Sequence, residues 1–317
     1  MGTVDSQARP MLHYRTILYP VDVAAPAGAA QPLAFELGRR AERIRLLYVD
    51  SILGSASHVQ HARHRLEALG AEAPCPVDVA VTHAMTPSTA ILEHAAAPDV
   101  DLVVMDTHGR RGLARFVLGS VAREVVRGAP CPVVTARPGA EEAVLPTLAG
   151  GAVLVAIDFS EASAEAVRQA SDLADALAAR VDVLHVPARV NLDGPVAESP
   201  PDPGHTVRAA RAYRVRAFAR AALDGTRHEG ADRLGDIWVE TGAPADVIVR
   251  TATDRASGLV VLGTKGLCGV GRLVEGSIAE AVVAAAPCPV LTVKTPARYA
   301  ELGVAQPAPL PPPRAPS

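Results

Sequence analysis

Short apolar runs alternate along this chain with longer stretches in which Ala, Val and Leu recur among polar residues. In the N-terminal half the apolar runs predict strands at residues 16–21, 44–49, 77–81, 102–105 and 133–136. The C-terminal half repeats the series at residues 153–157, 181–186, 237–240, 259–262 and 290–294. Short apolar strands that alternate with helices are typical of parallel sheets with helices on both faces. The pattern therefore predicts two α/β units of one design, the last helix of each spanning residues 120–127 and 277–285.

The two halves also share a block of glycine and serine after their fourth strands. In the second half the block is Gly-x2-Gly, then nine residues, then Gly-Ser: Gly263, Gly266, Gly276 and Ser277. The first half has the same spacing, with an aspartate at the first position: Asp106, Gly109, Gly119 and Ser120. A strand followed by a glycine loop and the start of a helix is an arrangement in which backbone amides hold phosphate. We expect both serines to cap the helices that follow and to face phosphate.

The spacing between the two copies predicts the domain organisation. Asp22 and Asp158 end the first strands and are 136 residues apart, whereas Pro87 and Pro244 are 157 apart, so the second half carries an insertion of about 20 residues, near 187–206. The predicted organisation is a disordered leader (1–14), a first unit (15–138), a linker (139–150), a second unit (151–296) and a Pro-rich tail, disordered or polyproline-like (297–317).

Composition limits the classes of protein to which the chain can belong. Hydrophobic residues make up 49% of its 317 residues and aromatic residues only 3%, so sizeable cores must be built from Ala, Val and Leu. The net charge of −3 argues against a nucleic-acid partner, which usually requires a basic stripe. Four cysteines do not predict a disulfide framework in a chain of this length, and we expect Cys131 and Cys288 to be buried as small hydrophobes.

Targeting signals are not apparent in the sequence. The N-terminus lacks a basic region followed by an apolar stretch, and no apolar run approaches the roughly 20 residues that a membrane helix needs. We therefore expect a cytoplasmic protein without a membrane partner.

Two acidic residues are placed to share crevices with the glycine blocks. Ligands of open α/β sheets bind at the carboxyl ends of the strands, where the strand order reverses. If the first and fourth strands of each unit are neighbours, Asp22 lies beside the Gly109 loop and Asp158 lies beside the Gly263 loop. A carboxylate there can accept hydrogen bonds from a ribose or a base while the loop amides face phosphates.

These features together resemble the universal stress protein family in a tandem form, over residues 16–137 and 151–295. The resemblance rests on the Gly-x2-Gly-x9-Gly-Ser block, the aspartate that ends the first strand and the closing Ala-Pro-Cys-Pro-Val run. It implies a Rossmann-like, five-stranded parallel sheet in the order 3-2-1-4-5 in each unit. It also implies ATP, ADP or AMP in the crevice, with or without Mg²⁺, held at the nucleoside by the aspartate and by a main-chain contact at Val49 or Val186. Members of the family commonly dimerise, so the two units would form a pseudo-dimer, with a homodimer of the whole chain left open.

Differences between the copies predict that the second unit is the main binding site. It has Gly263, Gly266, Gly276 and Ser277 in full, with Lys265 inside the loop, where the cation either neutralises phosphate or is simply solvated. The first unit has Asp106 in place of the first glycine, and a carboxylate about 4 Å from a phosphate would cost about 1 to 4 kcal/mol. We therefore expect a weak or purely structural first site.

Three functions remain open on the sequence alone. The leading hypothesis is a regulatory nucleotide-binding protein of the stress response that acts through a protein partner the sequence does not identify. The alternatives are an enzyme, either a slow ATP hydrolase or a phosphoryl- or adenylyl-transferring enzyme, and an interaction scaffold that needs no nucleotide. No P-loop of the form Gly-x4-Gly-Lys-Ser/Thr is present and no catalytic residue can be named, so an enzyme is the weaker hypothesis. Two weaker patterns are better explained as solvated helix faces. One is a metal site at His58, His61 and His64, and the other is a partner surface on a basic helix at 208–220.

Overall fold

The computed structural model describes residues 14–23, 28–51, 55–107, 118–137, 151–187, 203–223, 233–264 and 277–295. They form ten strands and eight helices in strict alternation within each half. The predicted leader, linker and Pro-rich tail lie outside the described residues, as does most of the predicted insertion.

The elements of both halves follow the same order. The N-terminal half contains β1 (Tyr14–Pro20), α1 (Ala30–Gly38), β2 (Ala41–Ser51), α2 (Ala56–Gly70), β3 (Val77–Ala84), α3 (Pro87–Ala95), β4 (Val100–Asp106), α4 (Ser120–Gly128) and β5 (Val133–Ala136). The C-terminal half contains β6 (Ala152–Ile157), α5 (Glu161–Leu177), β7 (Arg180–His185), α6 (Pro203–Leu223), β8 (Leu234–Val239), α7 (Pro244–Asp254), β9 (Leu259–Gly263), α8 (Ser277–Ala285) and β10 (Val290–Val293). All ten predicted strands are confirmed.

The strands form one ten-stranded sheet in the order β3-β2-β1-β4-β5-β10-β9-β6-β7-β8. Within each half the pairing is parallel and the order 3-2-1-4-5 is confirmed. The two five-stranded sheets are joined by antiparallel pairing of β5 with β10, in which Val134 lies opposite Leu291. The sequence pattern predicted the two sheets but not this continuous junction.

Equivalent residues of the two halves repeat their contacts across the junction. The Thr135 hydroxyl donates to the carbonyl of Val290 at 3.3 Å, and the Thr292 hydroxyl donates to the carbonyl of Val133 at 3.2 Å. These reciprocal hydrogen bonds follow an approximate two-fold relation between the halves.

Two cations cap helices of the opposite half. Lys294, which is 4% exposed, donates from Nζ to the carbonyls of Val126 and Ala129 at 3.0 and 2.8 Å, at the C-terminal end of α4. Arg137 occupies the matching place after β5 and donates to two carbonyls at the end of α8, both at 3.4 Å. Cations stabilise helix C-termini because the last carbonyls carry partial negative charge.

The hydrophobic core continues through both halves on each face of the sheet. One layer contains Leu37 and Leu173 and the other contains Leu18 and Val260, so each layer takes residues from both repeats. Cys131 lies in the second layer, and burial raises the pKa of its thiol to about 12. Cys288 lies in the same layer and burial also raises its pKa to about 12, so both thiols are protonated, as expected for small hydrophobes.

Within the described part of the chain, no helix combines the length and the apolar character that crossing a bilayer requires.

Candidate functional site

The acidic residues that end the first strands lie at the same sheet edge as the glycine blocks. β1 pairs with β4 in parallel, with Leu18 opposite Val103, and β6 pairs with β9 in parallel, with Ala156 opposite Leu262. Because parallel neighbours end at one edge, each half has an acid-bearing turn next to the turn that follows its fourth strand.

The Asp158 carboxylate is held by the first turn of α5. The Ser163 hydroxyl donates to Asp158 Oδ1 at 2.7 Å, and the Ser160 N–H donates to the same oxygen at 3.1 Å. The Ser163 hydroxyl in turn accepts from the Asp158 N–H at 2.9 Å. Ser160 is also the N-cap of α5, because its hydroxyl oxygen accepts from the Ser163 N–H. These bonds fix the direction of the carboxylate.

Gly263 ends β9 directly against the start of α5. A Cβ placed on Gly263 would lie 2.6 Å from Ala162 Cβ and 3.1 Å from the Ala162 carbonyl carbon, closer than real atoms approach. A glycine is therefore required here by close packing rather than by an unusual backbone angle.

The remaining predicted residues of the second site are only partly described. Val186 follows β7 and is half-buried, and Ser277 is the exposed first residue of α8. Lys265, Gly266 and Gly276 lie outside the described residues, as does Gly109 of the first half.

An aromatic cluster adjoins Asp158, and the sequence analysis missed it. Phe159 adopts a left-handed backbone with φ of 67°, and its ring contacts His185 at 4.6 Å and Phe218 at 5.4 Å between ring centroids. The Arg214 guanidinium lies 5.3 Å from the centre of the Phe159 ring. The cluster attaches α6 to the carboxyl ends of β6 and β7, and no local pattern in the sequence signals it because its members lie on separate elements.

The first half contains a cavity of about 830 Å³ at the corresponding edge. Four of its predicted residues line it: Asp22, Val49, Gly119 and Ser120. The structure therefore brings these four residues together, although they are far apart in the sequence. The volume lies within the range of small-molecule sites.

Asp106 lines this cavity, but its carboxylate has a partner within the protein. Asp106 Oδ1 accepts the N–H of Ala30 at 2.9 Å, at the start of α1. A Cβ added to Gly28 would lie 2.0 Å from Asp106 Oδ2, so the carboxylate fits closely against the turn that precedes α1. Asp106 thus acts as an N-terminal acceptor for α1, a role that the sequence analysis did not predict.

The prediction that Ser120 caps α4 is wrong. The N-cap of α4 is Gly119, no side chain provides a capping hydrogen bond, and Ser120 is the first helical residue. The Gly119 N–H donates to the Thr107 carbonyl at 3.1 Å, so the turn is closed by a backbone hydrogen bond.

The histidines of α2 form no metal site in the described residues. His58 Nδ1 lies 3.4 Å from the buried carboxylate of Asp50, and His83 Nδ1 lies 3.9 Å from its other oxygen. No group of three or more His, Cys, Asp or Glu in the described ranges could hold a metal ion. The basic stretch at 208–220 lies on α6, with Arg214, Arg216 and Arg220 exposed.

Comparison with known proteins gives matches over both halves. A family model described as the universal stress protein family matches residues 13–137 and 151–294. One relative is the universal stress protein in the QAH/OAS sulfhydrylase 3′ region of Thermus aquaticus. It is 38% identical over 144 residues, which cover 45% of this chain and 97% of the relative. The universal stress protein Rv2005c of Mycobacterium tuberculosis is 30% identical over 230 residues, covering 72% of each chain. The crystal structure of PA1789, a functionally unknown protein of Pseudomonas aeruginosa PAO1, superposes with a TM-score of 0.63 at 19% identity, covering 91% of this chain and 95% of the other.

Proposed function

Because this chain belongs to the universal stress protein family and carries two copies of the family unit, we propose that it is a regulatory protein that binds an adenine nucleotide. The C-terminal half is the main site, with ATP as the leading ligand and ADP and AMP as alternatives. The bound nucleotide would bias a loop or surface that a protein partner contacts. We place the protein in the cytoplasm, consistent with free thiols at Cys75, Cys131 and Cys288.

The observation that carries the proposal is the position of Asp158 beside Gly263. The Asp158 carboxylate is oriented by the Ser163 hydroxyl and the Ser160 N–H, at the sheet edge where β9 ends in a residue without a side chain. A carboxylate in this position can accept hydrogen bonds from the hydroxyls of a sugar, and Gly263, against which α5 packs directly, ends β9 at the same sheet edge. These residues fit the nucleoside part of a nucleotide.

We propose Val186, Lys265, Gly266, Gly276 and Ser277 as the other binding residues of this half. Ser277 begins α8, and the N–H groups of a first helical turn favour an anion. Any Mg²⁺ would be carried by the phosphates of the nucleotide rather than by a protein metal site. The weaker set in the N-terminal half consists of Asp22, Val49, Gly109, Gly119 and Ser120.

Titration calorimetry with ATP on the full chain tests the proposal. We expect one tight site per chain, which Asp158→Ala removes and the matched change Asp22→Ala does not. Two equal tight sites, or loss of the tight site in Asp22→Ala alone, would overturn the assignment to the C-terminal half. The absence of any nucleotide-dependent rise in melting temperature would favour the scaffold function instead.

Turnover measurements separate a regulator from an enzyme. We expect at most slow release of phosphate from ATP by the purified protein. Sustained rapid hydrolysis that a single side-chain change abolishes would instead support a catalytic function.

A further inference from the structure

The helix α6 presents one long side to solvent. It packs against α5, β7 and β8 through its apolar side, on which Val215 and Ala219 are fully buried. The opposite side is made of exposed residues at helical spacing, among them Tyr213, Arg214, Arg216, Ala217, Arg220 and Ala221. Exposure alone agrees with a solvated face, so the residue types on this side decide what it does.

The exposed side of α6 differs in composition from an ordinary solvated helix face, which mixes charges of both signs. The helix carries five arginines and no aspartate or glutamate along its whole length. Alanines separate the arginines, and Tyr213 among them is 75% exposed. Arginine and tyrosine are enriched at the residues that dominate binding in protein interfaces. Small alanines between them allow the backbone of a partner to approach closely.

The equivalent helix of the N-terminal half shows that the fold does not require such a surface. Like α6, α2 follows the second strand of its half and precedes the third. Its exposed residues are of mixed polar types and include Ser57, Gln60, His61, Arg63 and Glu67. The purely basic, alanine-rich side is therefore a feature of the second copy alone.

Aromatic contacts hold α6 in place beside the turn that follows β6. The Phe218 ring meets the Phe159 ring edge-on, with 5.4 Å between their centroids. The Arg214 guanidinium lies 5.3 Å from the centre of the Phe159 ring, so this arginine stacks inside the molecule. Arg216 and Arg220 lie one helical turn apart on the exposed side of a helix that is thus fixed in position.

Charge and shape favour a protein segment over other anionic surfaces. A helix that lies on a membrane inserts a large apolar side, and the apolar side of α6 is buried within the fold. Nucleic acids usually require a basic stripe on a basic domain, whereas this chain has a net charge of −3. Guanidinium groups bind carboxylates in a bidentate geometry, and a tyrosine beside them suits an apolar or aromatic side chain.

We propose that the exposed side of α6 is a docking surface for an acidic segment of a protein partner, one that carries an apolar or aromatic side chain among its Asp and Glu residues. Arg216 and Arg220 bind the carboxylates, and Tyr213 packs against the apolar side chain. The inference goes beyond nucleotide binding and does not depend on it, because no residue of the proposed nucleotide site belongs to this surface.

Two acidic polymers form a matched pair of probes: poly-L-glutamate and a copolymer of glutamate and tyrosine. We would measure the binding of each to the full chain by fluorescence anisotropy, at low salt and without nucleotide. We expect both to bind, the copolymer more tightly. Arg216→Ala/Arg220→Ala should weaken the binding of both about tenfold, because two exposed charge contacts contribute roughly this much. Tyr213→Ala should weaken the binding of the copolymer about threefold and leave that of poly-L-glutamate unchanged.

Arg63→Ala/Arg65→Ala is the matched control on α2. It removes the same charge from exposed positions of the equivalent helix, so the affinity for either polymer should stay within about twofold of the wild-type value. All of these variants change exposed side chains, and we expect their melting temperatures to be those of the wild-type chain.

Four results would overturn the inference. The first is an equal loss of affinity in the α6 and α2 double variants, and the second is unchanged binding in Arg216→Ala/Arg220→Ala. The third is binding of duplex DNA or of phosphatidylserine vesicles more tightly than the copolymer. The fourth is no binding of either polymer to the wild-type chain, which would mean that acidic residues of the chain itself occupy the arginines.

Sedimentation tests a second copy of the chain as the occupant. A dimer that only the α6 variants dissociate would assign the surface to self-association and overturn the proposed partner. Titration of the wild-type chain with ATP reports separately on the C-terminal crevice, so failure of one proposal is distinguishable from failure of the other.

Discussion

The two halves of the molecule have the same strand order, but they differ where the first strand passes into the first helix. In the C-terminal half α5 begins at Glu161, three residues after Asp158. In the N-terminal half α1 begins at Ala30, eight residues after Asp22. In the N-terminal half Asp106 accepts the Ala30 N–H at the start of α1, whereas Gly263, its counterpart, is packed directly against Ala162 of α5.

The contacts that join the halves have diverged much less than the crevices. Thr135 and Thr292 make equivalent hydrogen bonds across the β5–β10 pair, and Arg137 and Lys294 cap helices in each other's half. One pair of equivalent positions carries opposite charges in the two halves: Arg123 on α4 corresponds to Glu280 on α8. Glu280 forms ion pairs with Arg123 and Arg127. The comparison indicates that the repeat is retained where it holds the sheet together and varies where a ligand would bind.

The largest expected effect comes from giving the second half the residue of the first. Gly263→Asp places a Cβ 2.6 Å from Ala162 Cβ and adds a negative charge beside the proposed phosphate site. We expect ATP affinity to fall about tenfold to several-hundred-fold from the charge alone, and the free energy of unfolding to fall by about 1–3 kcal/mol from overpacking. Calorimetry and urea denaturation measure the two effects.

Gly263→Ala is the matched control for this change, because it adds the Cβ without the charge. It should share most of the loss of stability but lose less affinity for ATP. If Gly263→Asp binds ATP as tightly as the wild-type chain does, the difference between the halves does not lie at this position.

The fold was predictable because its signals are local. Apolar runs bounded by Gly and Pro identify strands of a parallel sheet, and β5 (133–136) and α8 (277–285) were predicted to the residue. The repeated spacing then related the two halves without any knowledge of long-range contacts. The strand order 3-2-1-4-5 was implied by the family resemblance rather than by this pattern.

The site was only partly predictable because its decisive contacts join distant residues. Asp106 accepts the N–H of Ala30, 76 residues away, so the local pattern gives no sign that it caps α1. The pairing of β5 with β10 is equally absent from the local pattern, because the two strands lie in different halves of the chain. The error at Ser120 has a local cause: the N-cap position lies one residue earlier, at Gly119.

A smaller expected effect tests the asymmetry of the two cationic caps. Lys294→Met removes two hydrogen bonds from a buried ammonium, at 3.0 and 2.8 Å. Bonds to a charged group contribute about 1.5–3 kcal/mol each, and loss of the desolvation penalty of the buried cation offsets part of this. We expect a net loss of about 1–3 kcal/mol in the free energy of unfolding, measured with urea.

Arg137→Met is the paired variant in the other half. Its two hydrogen bonds are longer, at 3.4 Å, and its side chain is only half-buried, so we expect a loss below about 1 kcal/mol. Equal losses in the two variants, or a larger loss in Arg137→Met, would show that the junction is held symmetrically after all.

The smallest expected effect concerns the hydroxyl that orients Asp158. Ser163→Ala removes the 2.7 Å hydrogen bond to Asp158 Oδ1, while the Ser160 N–H still donates to that oxygen. The carboxylate becomes less constrained rather than lost, so we expect ATP affinity to fall about threefold to tenfold, the equivalent of about 0.7–1.4 kcal/mol. Ser171→Ala is the control on the same helix, because Ser171 is also buried and its hydroxyl has no hydrogen-bond partner among the described residues. Both variants should melt cooperatively, and only Ser163→Ala should lose affinity for ATP.

An equal loss in both would mean that α5 as a whole, rather than the orientation of Asp158, determines binding in the C-terminal half. The N-terminal half has Ala27 at the position that matches Ser163, so a restricted loss would identify the oriented carboxylate as a feature that separates the two crevices.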